Sequence, residues 1–437
     1  MMRALLAGLF SLMISAPLHA EVKIEEVTSP GGIKAWLVEE HGIPFTALEL
    51  RFRGGTSLDA PGKRGAVMLM AALLEEGSAD LDSQGFAEAR EALAARFSFD
   101  ANADSLTVSA QMLSENRDVA ATLLRGALME PHFDQSSIDR VRGQILSMIE
   151  AEATSPDDIA SRTYARIAYG DHPYASSDLG TAASVNGLTR DDILAAKSAT
   201  MTRDHLYISA VGDITPQTLG LLLDDLLGGL PVTGATLPAA ADVTLNGGVT
   251  AVDFDTPQSV VIFGQNGLKL RDPDYYQAFV LNQIIGGSGF TARLMDEVRE
   301  KRGLTYGISS NLVTMDYAET WQGSFASGNE VVADAVQVVR DVWDDIARNG
   351  VTQAELDAAK TYMTGSYPLR FDGNSNIADI LVGMQMEGLP IDYVGRRNAL
   401  IEAVTLDDVS RVARARLTPD TLTFVVVGKP TGLVTTP

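Results

Sequence analysis

One unit of this chain is written twice, and that repeat limits its fold more than any other feature. Residues 188–215 read LTRDDILAAKSATMTRDHLYISAVGDIT, and residues 404–431 read VTLDDVSRVARARLTPDTLTFVVVGKPT. At a constant offset of 216 they share Thr189/Thr405, Asp191/Asp407, Asp192/Asp408, Thr202/Thr418, Asp204/Asp420, Leu206/Leu422, Val211/Val427, Gly212/Gly428 and Thr215/Thr431. Each copy reads as a threonine N-cap, a helix, a turn and a closing apolar strand. A repeat of this length implies two homologous halves.

The segments before each copy follow one order. In the first half, alternating patterns predict strands at 22–27, 33–38 and 46–53, helices at 64–76 and 83–94, and a hairpin of 97–101 with 106–111. Helical patterns follow at 117–129 and 136–153, and Pro156 and Asp157 open another. In the second half, strands are expected at 249–253 and 259–265, a helix at 274–285, then strands near 306–313 and 321–326, then helices. Between the halves, residues 231–248, PVTGATLPAAADVTLNGG, carry one charge, Asp242, and are interrupted by Pro and Gly, as a linker is. The fold class this implies is α+β: two α/β-sandwich halves, each a mainly antiparallel sheet backed by helices. The halves span 21–230 and 249–437.

Composition narrows the setting. Residues 1–20 read as a cleavable export signal, with Arg3 before an apolar centre at 5–16 and a small residue, Ala20, at the cut; Leu18 fits that cut less well than alanine would. This apolar run is short for a membrane span, and no later stretch approaches its length. The absence of cysteine excludes disulfides, thiolate metal sites, a cysteine nucleophile and a lipid-bearing cysteine. A formal charge of −23 disfavours nucleic acid and anionic membrane surfaces as partners, and it suits cationic peptides. The expected setting is the periplasm.

A second stretch carries chemistry. Residues 286–308, GGSGFTARLMDEVREKRGLTYGI, begin with glycines at 286, 287 and 289. These lack the lysine of a P-loop and the spacing of a dinucleotide fold, so they read as a tight turn. A helical run follows in which Leu294, Val298 and Met295 share a face, and Gly303 stops it. Arg299 lies near the end of that run and Tyr306 opens the next strand, seven residues on. A guanidinium and a phenol are both donors suited to a polarised carbonyl or an oxyanion. Taken alone, an arginine among Glu297, Glu300, Lys301 and Arg302 reads more simply as part of a solvated charged face.

Four segments together carry a resemblance: RLMDEVREKRGLTYGI, GTSLDAPGKRGAVMLMAALLEEGS at 55–78, HPYASSDLGT at 172–181, and the repeated closing units. Their order and spacing are similar to the pitrilysin/insulinase family of zinc peptidases, which includes the mitochondrial processing peptidase type. Active members hold Zn²⁺ with an H-x-x-E-H helix, whose histidines at i and i+4 face one way. At the matching positions this chain has Met68, Ala71 and Ala72. The family's downstream glutamate pair falls on Ser147 and Met148, with Glu150 and Glu152 a small slip away. Beyond the signal, His41, His132, His172 and His205 lie 91, 40 and 33 residues apart, so no two sit one helical turn from each other. His172 matches a loop of the family that reads as architectural. No metal is assigned to this chain, because two methionines in the buried run 66–74 read as packing.

Arg299 and Tyr306 match the family's substrate-contacting arginine and tyrosine in spacing and context. The resemblance therefore implies a non-catalytic subunit whose zinc is held by a sister chain, with peptides as substrate. The alternative is an inert scaffold or peptide-binding protein of the same fold.

Overall fold

The computed structural model describes residues 23–287, 289 and 291–436; the expected export segment lies outside them. Two large sheets organise the described residues, with a short two-stranded ribbon of Gly77–Ser78 and Leu81–Asp82 beside them. The first runs, edge to edge, Glu25–Thr28, Lys34–Glu39, Leu206–Gly212, Phe45–Arg53, Ser105–Leu113, Arg96–Ala101. The second runs Gly248–Asp253, Thr423–Gly428, Gln258–Asn266, Glu319–Gly328, Ile308–Thr314. Apart from the extra edge strand Glu25–Thr28, the two orders are the same. Each sheet is mixed rather than purely antiparallel: the closing strand of each repeat unit lies parallel to the opening strand, Lys34–Glu39 or Gly248–Asp253. All other neighbours in the two sheets are antiparallel.

The repeat unit closes in both halves by the same local chemistry. Thr189 accepts from the Asp192 N–H and Thr405 from the Asp408 N–H, and each aspartate returns a bond to its threonine. These reciprocal caps satisfy donors that a helix start otherwise leaves open.

The sequence pattern anticipates helices behind each sheet, but the structure also covers the other face. Helix Pro156–Tyr169 belongs to the first half and packs on the second sheet, placing Ala160, Tyr164, Ala168 and Tyr169 against Ile262, Val425 and Val427. Its repeat equivalent, Asn374–Met386, packs on the first sheet, with Ala378, Leu381 and Met384 against Val38, Ala47 and Val211. The halves thus exchange helices. Gly264 permits one exchange, since a Cβ there would stand 2.2 Å from Tyr164 Oη. The other is tied by hydrogen bonds from Ser209 Oγ to Ala378 O (2.5 Å) and from Gln385 Nε2 to Ile208 O (2.7 Å). Covering on both faces explains why all six residues of Thr423–Gly428 are buried, where a one-sided sheet would alternate.

Residues 231–247 contain no helix or strand, yet they are fastened. The Pro231 carbonyl accepts from Arg203 N, Ala241 N donates to the Tyr317 carbonyl, and Leu245 is buried with the first exchanged helix. The two hairpin tips meet beside this segment. Asp104 accepts from Tyr174 Oη and from Asp316 N (3.3 Å), while Arg53 Nε lies 3.2 Å from Asp316 Oδ2. Burial pushes the Asp316 carboxyl up to about 6, and Arg53 works against that shift.

Candidate functional site

In the first half, Ala66–Leu73 is the helix that the resemblance sets against a zinc-binding helix. Gly65 precedes it with φ +91°, and a Cβ there would meet the Leu179 carbonyl at 2.5 Å. Asp59, whose side chain is fully buried, accepts from Gly65 N and Val67 N (both 2.8 Å) and so terminates the helix start. Burial pushes this carboxyl up to about 6 against those two bonds and Arg64. Ala71 is 1% exposed and belongs to the core; Met68 and Ala72 pack partly buried beside it.

On the neighbouring helix Gln135–Ala153, Ser147 Oγ donates back to the Gly143 carbonyl and Met148 is exposed. Glu150 is exposed, and Glu152 accepts from Ser177 Oγ (3.1 Å). Thioether and methyl groups offer no ligand set for Zn²⁺, so these residues do not fit the metal. Among the described residues, no three His, Cys, Asp or Glu side chains are grouped to hold one.

Three of the histidines make side-chain hydrogen bonds within the fold. His41 Nδ1 lies 2.7 Å from Asp213 Oδ1, and His172 bonds the Ala239 carbonyl through Nε2 while its Nδ1 accepts from Tyr174 N. His132 Nε2 contacts the Ala79 carbonyl.

In the second half, Leu294 and Val298 are fully buried and Met295 packs partly buried against the same core, as the shared face requires. The run is not a plain α-helix. Met295–Glu300 is a π-helical turn, with Lys301 N donating to Asp296 O (2.9 Å), five residues back. Such turns widen the helix locally and often occur at functional sites. Gly303 at φ +64° ends the run.

Tyr306 does not open the following strand, which begins at Ile308. The reason is Thr305: its Oγ1 contacts the Gly307 carbonyl (2.9 Å) and accepts from Gly307 N (3.2 Å), turning the chain before pairing starts. The phenol is consequently 85% exposed. Arg299 is one-third exposed, with Nε 3.3 Å from Glu300 Oε1. A charged cleft of about 450 Å³ lies on the same segment, between Arg293, Asp296, Glu297, Lys301, Arg302 and the helix Val332–Asn349, but neither Arg299 nor Tyr306 lines it. Arg299 and Tyr306 thus lie outside this cleft, the phenol facing solvent.

Sequence reasoning missed the exchanged helices and the junction of hairpin tips. The equivalence of 156–169 and 374–386 was open to a repeat alignment; their exchange was not.

Comparison with known proteins agrees with this anatomy. Residues 35–182 match the model of insulinase, peptidase family M16, and residues 187–363 match that of the peptidase M16 inactive domain. The chain belongs to the M16 peptidase family. A non-peptidase homolog of Helicobacter pylori, YmxG, is 27% identical over 426 residues, covering 97% of both chains. An uncharacterized zinc protease of Streptomyces coelicolor is 26% identical over 418 residues, covering 91% of this chain and 88% of the relative. The crystal structure of a peptidase M16 inactive domain from Pseudomonas fluorescens superposes with a TM-score of 0.87 at 29% identity, covering 95% of this chain and 99% of that one. A protease from Helicobacter pylori shares the fold, with a TM-score of 0.83 at 17% identity over 93% of this chain and all of the other. The inactive-domain and non-peptidase relatives support a catalytically inert M16 fold for this chain.

Proposed function

We propose that this chain is the non-catalytic subunit of a periplasmic, two-chain zinc metallopeptidase. A sister chain with an intact H-x-x-E-H helix holds the metal, which when bound supplies an activated water. This chain supplies Arg299 and Tyr306. Their donors bind the peptide carbonyl next to the scissile bond and stabilise the negative charge that develops on its oxygen. The observation that carries this reading is the pairing of a refilled zinc helix with a tyrosine 85% exposed on the opposite half. A phenol so placed buries almost nothing in its own chain.

The test is reconstitution. The chain alone is expected to bind no zinc and cleave no peptide, and mixing with an H-x-x-E-H chain of the same family and source is expected to produce chelator-sensitive cleavage of an internally quenched peptide. Chelator-sensitive hydrolysis by the isolated chain overturns the reading. The second reading, an inert scaffold or peptide-binding protein, gains if the reconstituted pair hydrolyses equally well with Arg299→Ala or Tyr306→Phe. It is favoured by the description of the H. pylori relative as a non-peptidase homolog.

A further inference from the structure

The backbone just before Tyr306 is stapled to one strand by two side chains. Thr305 is 8% exposed, and its Oγ1 donates to the Ala326 carbonyl at 2.7 Å. Ser327, the next residue of that strand and also buried, donates from Oγ to the Leu304 carbonyl at 2.6 Å. A third contact closes the loop, with Gly307 N donating to Thr305 Oγ1 at 3.2 Å. Leu304 N in turn donates to the Val298 carbonyl at 2.9 Å, linking the loop to the π-helical turn that bears Arg299.

Two hydroxyls are thus spent on fixing four residues of loop. Fixing backbone costs conformational entropy, roughly 1–2 kcal/mol per residue. A buried side chain normally returns that cost through packing, and Tyr306 returns little because it stands in solvent. A surface tyrosine with no task would be as well served by a loose loop.

We propose that Thr305 and Ser327 are positioning residues: they hold the Tyr306 Cα at a set place and direction relative to the Arg299 turn, so that the phenol is presented outward, pre-ordered, to a peptide carbonyl held by a second chain. This rests on the function proposed above for Tyr306. The benefit is the usual one of pre-organisation, in which the reacting partner meets a donor that need not be ordered on arrival. The staple also accounts for the strand starting at Ile308 and not at Tyr306, since the Thr305 hydroxyl occupies the Ala326 carbonyl.

The absence of cysteine makes the test clean, because Tyr306→Cys takes a single nitroxide label. In the isolated chain, the label is expected to show restricted motion, to loosen with Thr305→Val or Ser327→Ala, and to stay restricted with Thr305→Ser, which keeps the hydroxyl. In the reconstituted pair with native Tyr306, Thr305→Val is expected to lower kcat about tenfold with KM unchanged, and Thr305→Ser to restore it. A label equally restricted in the Thr305→Val/Ser327→Ala double variant overturns the positioning role, whatever the pair does. If instead the label loosens as expected while Thr305→Val and Tyr306→Phe both keep full kcat, the staple is real but the use proposed for Tyr306 is wrong.

Discussion

The helix Ala66–Leu73 and the turn that leads to Tyr306 lie in opposite halves, and their side chains are placed in opposite ways. On the first, the positions that the resemblance sets against a zinc motif hold methionine and alanine, and the helix is packed into the core with Leu69, Met70 and Leu73 fully buried. On the second, polar side chains remain at the surface, on backbone fastened by Thr305 and Ser327. The difference teaches where to look for function in an inert family member. A face absorbed into the core serves stability, whereas a large side chain held out in water beside buried hydroxyls is the place where the proposed function is to be tested.

The strongest way to break this comparison is to restore the lost motif. Met68→His, Ala71→Glu and Ala72→His together recreate H-x-x-E-H, but Ala71 lies in the core. Burying a carboxylate there is expected to cost about 4 kcal/mol or more of unfolding free energy, read by urea denaturation, without tight zinc binding by metal analysis. A stable variant with stoichiometric zinc would show that the first half is still a metal site in waiting.

Next in size is the effect on the second half. In the reconstituted pair, Arg299→Ala or Tyr306→Phe is expected to reduce kcat by about 10²–10³, equivalent to roughly 3–4 kcal/mol of transition-state stabilisation.

The pH dependence separates the two regions by sign. Asp59 has its carboxyl raised to about 6 by burial, so the stability it contributes is complete below its ordinary value and is lost as the pH rises through about 6. Denaturation between pH 4 and 7 is expected to show a loss of at most about 3 kcal/mol from this group, flattened in Asp59→Asn. Beside the Arg299 turn, Lys301 and then Arg302 hold the Glu297 carboxyl below its ordinary value, so its contribution is present at neutral pH and fades as the pH falls. Asp316, raised to about 6, and Glu49, raised to about 7, add falls of the same sign, so only an undiminished fall in Asp59→Asn would remove the helix start as a source.

The smallest expected effect is the most diagnostic. Tyr306→Ala should change unfolding free energy by no more than about 0.5 kcal/mol, since the ring buries so little. A larger loss would place Tyr306 among the structural residues and dissolve the contrast.

Much of this was legible in the chain itself. The caps at Thr189 and Thr405, the stop at Gly303 and the buried face of Leu294 and Val298 follow from local rules, because a cap, a positive φ and a 3.6-residue period are settled within a few residues. The strand start was misplaced by two residues because the Thr305 hydroxyl competes with pairing, and that competition depends on Ala326.

The sequence by itself determined the two halves, the elements in each and the loss of the zinc ligands, since ligand chemistry belongs to a residue whatever surrounds it. Only the tertiary structure decided that the halves trade helices and that Tyr306 stands in solvent between two fixed neighbours. The bonds responsible join residues 169 and 177 apart in the exchange and about 20 apart in the staple. Which face of an element is covered depends on such distant partners, and no local period records them.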